Sequence, residues 1–375
     1  MSVQATSLPE FTDIQAFYDY GDKLVFQANA HSTNDIAQIY IVLQPASEQI
    51  RVEKVIFDEQ GKISFTYDLK VHSLRPFARI TYWFRAKTND EKYYDSEKLQ
   101  FDYIDNREVW QSIDDGAIQV NWLQGDLDFG QDALNSASAA AKSTQNLFPG
   151  QNVVGLRIYI YDSAVRVQEA LYYNSSELIV GQANPDLGIV LISISPGDEQ
   201  RLEMDRQIPH ELMHFIIYQM VGDNYANVPL WLNEGLASLA ETFTNPDYQR
   251  ALKKAAKENN LMPMAGLCVV FPQDASGAFL GYAQSASFLR FLQAKYGNKS
   301  LFDLVNAYKN GYSCEDGVQA ASGSSLNQLD YRWRQETLGL DVGLLAVQNL
   351  APYLLVLAVL LVLPFLVFVG RSVRK

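Results

Sequence analysis

The chain has 375 residues, 30 basic against 43 acidic, and a formal net charge of -13, a balance that repels phosphate backbones and excludes nucleic acid as an expected partner. That length exceeds one average domain and suits two, and 21 tyrosines with 19 phenylalanines fit sheet-rich folded domains rather than disorder. Two cysteines, Cys268 and Cys314, are too few for a disulfide scaffold and are not spaced as thiolate metal ligands, which leaves a single bridge or two buried thiols.

Residues 1–15 show no clear period and are expected as a lead-in. Over 16–105, short runs rich in Val, Ile, Phe and Tyr recur between turn residues: "KLVFQAN", "IAQIYIVLQ", "RVEKVIF", "ISFTYDLK", "FARITYWFRAK" and "KLQFDYI". Ile63, Phe65, Tyr67 and Leu69 alternate with polar partners, as a strand with one wet face requires. The pattern predicts an all-β sandwich of immunoglobulin or fibronectin type, without the paired cysteines of antibody domains. His31 and His72 fall here without carboxylates at ligand spacing and are read as surface or packing histidines.

Over 106–340 the pattern changes to mixed helix and strand. "AIQVNWL", "LRIYIYD", "ELIVGQA" and "GIVLISIS" read as strands, and the alanine-rich "FGQDALNSASAAAKSTQNLF" as a helix. "GIVLISIS" suits either an edge strand open to an extended peptide or a central strand. Helices are expected near 203–221, 230–243, 247–258, 282–296, 300–310 and 325–337. Strands first and helices after predict an α+β domain with its sheet in the N-terminal half.

Within the first of those helices, "HELMH" places His210 and His214 one turn apart on one face, so both imidazoles can reach one metal ion. Zinc suits such a pair, and Glu211, beside that face, is placed to take a proton from a water that the metal activates. The alternative is a satisfied helix face with both histidines bonded to carbonyls. A third ligand is offered by "PLWLNEGLA", residues 229–237, where Glu234 lies twenty positions after His214, at the start of a second helix opened by Pro229. Flanked by Trp231, Leu232 and Leu236, its carboxylate would be buried at a cost that a bound cation removes; an exposed glutamate in a first helical turn is the other reading.

"HELMH" followed by "LWLNEGLA" resembles the gluzincin metallopeptidases, and "GYAQSASFLRFLQAKYG" with "LNQLDYRWRQ" is similar to peptidase MA-like domains, over roughly residues 106–340. The resemblance implies a zincin-like fold, one zinc ion held by His210, His214 and Glu234, Glu211 as general base and a peptide or protein substrate. Tyr282, after the glycines of "SGAFLGY", matches a tyrosine of related domains and is the expected oxyanion donor, with Tyr225 second; for both, core packing or a surface phenol is the competing reading. A "GxMEN"-type segment is not found ahead of the zinc helix, which departs from the aminopeptidase pattern. The rival from another class is a non-catalytic surface binding or adhesion protein with a structural zinc; an intact Glu211 favours the enzyme, since binding needs the ligands but not the base.

After a linker at 341–349, residues 350–370, "LAPYLLVLAVLLVLPFLVFVG", hold no charge and are long enough to predict a single transmembrane helix, kinked at Pro364. Arg371, Arg374 and Lys375 in the basic tail 371–375 predict a cytoplasmic C-terminus and an extracytoplasmic catalytic domain at the cell membrane. The first twenty residues show no apolar segment of secretory type, which leaves a missing export signal, the expectation taken here, or a tail anchor with the folded part in the cytosol.

Overall fold

The computed structural model describes residues 8–32, 35–172, 181–243 and 245–340, together with Tyr353, Val356 and Leu360. Alternation builds the N-terminal strands. In β2 (Lys23–His31), Leu24, Phe26, Ala28 and Ala30 point inward, and in β5 (Lys62–Asp68), Ile63 and Tyr67 do the same. β2 pairs antiparallel with both β1 (Glu10–Asp19) and β5 to give a three-stranded sheet. β1 begins at Glu10, inside the stretch expected as a lead-in. The facing sheet has the order β4 (Arg51–Val55), β3 (Ile36–Pro45), β6 (Arg79–Thr88), β7 (Tyr93–Asp95), with β8 (Leu99–Asp102) also on β6.

The next sheet follows different rules. β10 (Ile118–Trp122), β11 (Leu156–Tyr161) and β13 (Ile189–Ser193) run parallel at its centre, while β9 (Gln111–Asp114) and β12 (Gly181–Asn184) close its edges antiparallel. β11 and β13 are almost wholly buried, as parallel strands covered on both faces must be. β13 lies between β12 and β11, so "GIVLISIS" is a central strand and, among the described residues, the edge on that side is β12. α1 (Leu127–Thr144), capped by the Asp126 carboxylate accepting from the Phe129 N–H, lays Ala133, Ala137 and Ala140 inward; α2 (Ala164–Ala170), which the sequence did not announce, follows β11.

The all-β region and this sheet share one core. The Phe77 ring meets Tyr159 at 4.7 Å, Trp110 stands edge-on to Tyr159 and Tyr161 at 5.2 and 5.0 Å, and the Tyr20 hydroxyl donates to Ala170 O at 2.7 Å.

From Gln200 to Glu336 the main elements are helices: α3 (Gln200–Val221), α4 (Leu230–Ala240), α5 (Pro246–Lys257), α6 (Ala275–Tyr296), α7 (Asn298–Lys309), α8 (Cys314–Ser322) and α9 (Leu326–Glu336). Phe288 of α6 packs edge-on to Trp231 of α4 at 5.3 Å and to Trp333 of α9 at 5.9 Å. Cys268 and Cys314 form a disulfide with a Cα–Cα distance of 6.1 Å, which settles the choice left open by their number. By contact density the chain divides into two compact units, residues 1–145 with 150–219, and 146–149 with 220–375.

Among the described residues no helix is long and apolar enough to cross a membrane. The predicted span 350–370 lies outside them save for Tyr353, Val356 and Leu360, as do the linker 341–349 and the tail 371–375.

Candidate metal centre

α3 is buried from Gln207 to Ile217 apart from His210, its polar Gln207, Glu211 and His214 included. Pro209 sits in its interior and removes one backbone donor directly before His210. The His210 and His214 rings meet at 5.1 Å and 77°, on the one face that their four-residue spacing dictates. His214 and Glu211 are each 8% exposed. A carboxylate so buried is costly unless something engages it.

Strand β12 makes the room for Glu211. A β-carbon on Gly181 would lie 2.5 Å from Glu211 Oε1, so only a glycine there leaves the carboxylate its position. One turn before Glu211, the buried Gln207 amide donates to Ser193 O at 3.2 Å and to Glu203 Oε2 at 2.8 Å, tying α3 to the end of β13. Neither Gly181 nor Gln207 was singled out from the sequence. The available signal was a glycine inside a strand-like run, which marks a close approach.

α4 begins at Leu230 with Pro229 as its N-cap, and Glu234 lies in its second turn, partly buried. His210, His214 and Glu234 each offer a ligand atom, and these atoms all lie within 4.8 Å of one another. Two imidazole nitrogens and a carboxylate oxygen are a donor set that zinc favours. Atoms bound to one tetrahedral ion at about 2.0–2.1 Å are roughly 3.4 Å apart, inside the 4.8 Å within which these three lie. The three residues fit the metal. Beside Glu234, the Asn233 amide donates to the Tyr225 hydroxyl at 3.0 Å, so the loop tyrosine is joined to the helix that carries the third ligand.

Tyr282 does not open its helix. α6 starts seven residues earlier, where the Asp274 carboxylate caps it by accepting from the Gly277 N–H at 2.9 Å, and Tyr282 sits further along with its ring edge-on to Phe271 at 5.2 Å. A cavity of about 790 Å³ opens among α5, α6 and α9, walled by Tyr248, Ser287, Arg290, Phe291 and Lys295 among others, and none of the three ligands lines it. Burial holds the Arg290 guanidinium below its ordinary range against the pull of Glu241 and Tyr248, and its Nη2 donates to Ser238 O, one turn beyond Glu234, at 3.4 Å. His31 shares a hydrogen bond with the Thr12 hydroxyl at 2.9 Å and His72 lies against the Tyr67 ring, so both are the surface and packing residues expected.

Residues 138–339, more than half of the chain, match the family described as the Peptidase MA superfamily. No curated protein matches. Among solved structures, the chain is similar to an M1 zinc metallopeptidase from Deinococcus radiodurans, at 12% identity over 87% of this chain and 92% of that one, with a TM-score of 0.35. It is also similar to a carbohydrate-binding module family 56 beta-1,3-glucan binding domain, at 15% identity over 24% of this chain and 98% of that one, with a TM-score of 0.18.

Proposed function

The chain belongs to the Peptidase MA superfamily and has a metallopeptidase-like fold, and from that premise we propose that it is a membrane-anchored zinc peptidase that hydrolyses peptide bonds with Glu211 as general base. The observation that carries this reading is the approach of one ligand atom each from His210, His214 and Glu234 to within 4.8 Å, with the Glu211 carboxylate one residue from the first of them. His210, His214 and Glu234 would hold a zinc ion, which would supply Lewis acidity toward a scissile carbonyl and acidify a water. Glu211, buried against the Gly181 backbone, takes the proton of the attacking water and delivers it to the leaving amine. β12 is an edge strand at the same place, and an extended substrate pairs along it. Tyr282 donates to the developing oxyanion, with Tyr225 as the second choice.

The apolar stretch 350–370 anchors the protein with its C-terminus in the cytoplasm. The Cys268–Cys314 bridge supports an oxidising compartment for the catalytic part.

The test is to purify the full chain, measure zinc per chain, and follow cleavage of unfolded casein with and without a chelator. Stoichiometric zinc with chelator-sensitive cleavage is expected. Zinc without cleavage would replace the enzyme by the binding protein with a structural metal, and no zinc would end both.

A further inference from the structure

The helix that carries the third ligand starts without the usual fastening. Pro229 gives α4 no side-chain cap, and no acidic residue stands in its first turn, so the first N–H groups need partners from elsewhere. The Leu230 N–H finds one in Cys268 O at 2.8 Å. The next residue, Trp231, is fully buried and donates its indole N–H to Cys314 Sγ at 3.4 Å, while its ring stands edge-on to Phe288. Both halves of the Cys268–Cys314 disulfide therefore grip the same turn, one by a carbonyl and one by sulfur.

The grip is anchored at its far end. Cys314 opens α8, and its carbonyl accepts from the Tyr308 hydroxyl at 2.9 Å. The Cys268 end lies beside a short solvent-facing stretch: Leu267 and Phe271 are buried, but Val269 and Val270 between them are 87% and 58% exposed. Solvent covers those two side chains, and the cross-link ties the stretch to α8. Glu234 lies four residues after Leu230 and three after Trp231, which stacks it over both on the helix surface.

We propose that the Cys268–Cys314 disulfide is a positioning element of the metal centre: by fixing the first turn of α4 it sets where the Glu234 carboxylate stands. This rests on the metallopeptidase reading above and adds a dependence of zinc affinity on a covalent bond remote from the metal. A disulfide that only stabilises the fold would lower the melting temperature when removed and leave zinc affinity unchanged in the folded protein.

The experiment compares the full chain with a variant carrying Cys268→Ala and Cys314→Ala, and with Leu230→Pro, which keeps the disulfide and deletes the donor N–H. Proline is acceptable at the first helical position, and Pro229, at φ -58° and ψ 139°, already has the extended backbone that a following proline demands. Zinc Kd is read by competition with a chelating dye, well below the melting temperature of each protein, with circular dichroism as the check on folding. The double alanine variant is expected to bind zinc roughly tenfold to a hundredfold more weakly, the range for losing an outer support of a ligand. Its Kd staying within about twofold of the parent would overturn the proposal; should it fail to fold, Leu230→Pro decides by the same criterion. A parent chain that binds no zinc would instead bring down the metallopeptidase reading itself.

Discussion

Oε1 of Glu211 occupies the space that a side chain on Gly181 would fill: a β-carbon there would meet it at 2.5 Å, and Ile192 Cγ2 at 3.3 Å. The carboxylate end is the flexible partner in that contact, so Gly181→Ala moves the proposed base and little else. Casein hydrolysis is expected to fall about a hundredfold, toward the roughly 10²- to 10⁴-fold loss expected for Glu211→Gln, with zinc content unchanged in both. Glu234→Ala should differ in kind, losing zinc affinity before any question of turnover arises. Parental kcat in Gly181→Ala would mean that the base does not depend on its place against β12.

A second glycine tests how closely α4 is held. A β-carbon on Gly235 would lie 2.8 Å from Leu289 Cδ2 and 2.9 Å from the backbone oxygen of Ser285 on α6. Alanine is the better helix former by about 1 kcal/mol, and overpacking a filled interface costs about 1–3 kcal/mol. Because the obstructing atom is backbone, it cannot swing aside, and the second term wins. Gly235→Ala should lower stability by up to about 2 kcal/mol in chemical denaturation. A variant as stable as the parent would show that α4 and α6 can separate freely.

The residues bearing the proposed chemistry were the most legible part of the chain, because two histidines four apart and a glutamate after Pro229 depend only on helical repeat and helix start. What those residues lean on was hidden, since the support comes from distant chain. Gly181 looks like any glycine in a strand run until Glu211 is placed beside it, and the cysteines give no sign of meeting at α4 until Trp231 and Leu230 are seen against them. Short elements escaped for another reason: α2 and α8 have seven and nine residues, too few for a helical period to declare itself. At α6, glycines at 277 and 281 hid the first turns, although Asp274 was a readable cap. In the all-β region the alternation was strong enough to place six strands, and β1 escaped because its register shifts between Thr12 and Gln15, which breaks the period of two.

The last prediction concerns pH. Asp102 on β8 accepts from Arg79 Nε of β6 at 2.9 Å and from Arg157 Nη1 of β11 at 2.9 Å, so one carboxylate links the all-β region to the following sheet. Burial alone would raise its pKa, but the two guanidinium groups outweigh burial and hold it below the ordinary carboxylate range. A carboxylate depressed in the folded state binds protons more readily when unfolded, so its contribution is complete above the unfolded value of about 3.9 and disappears as pH falls through the folded one. Arg79 is well exposed, which keeps the effect modest: Asp102→Asn is expected to cost about 1 kcal/mol near neutrality. Denaturant midpoints of parent and variant measured from neutral pH downward should therefore converge below about pH 4. A gap between them that stays constant across that range would show that the cost comes from lost hydrogen-bond geometry and not from the carboxylate's charge.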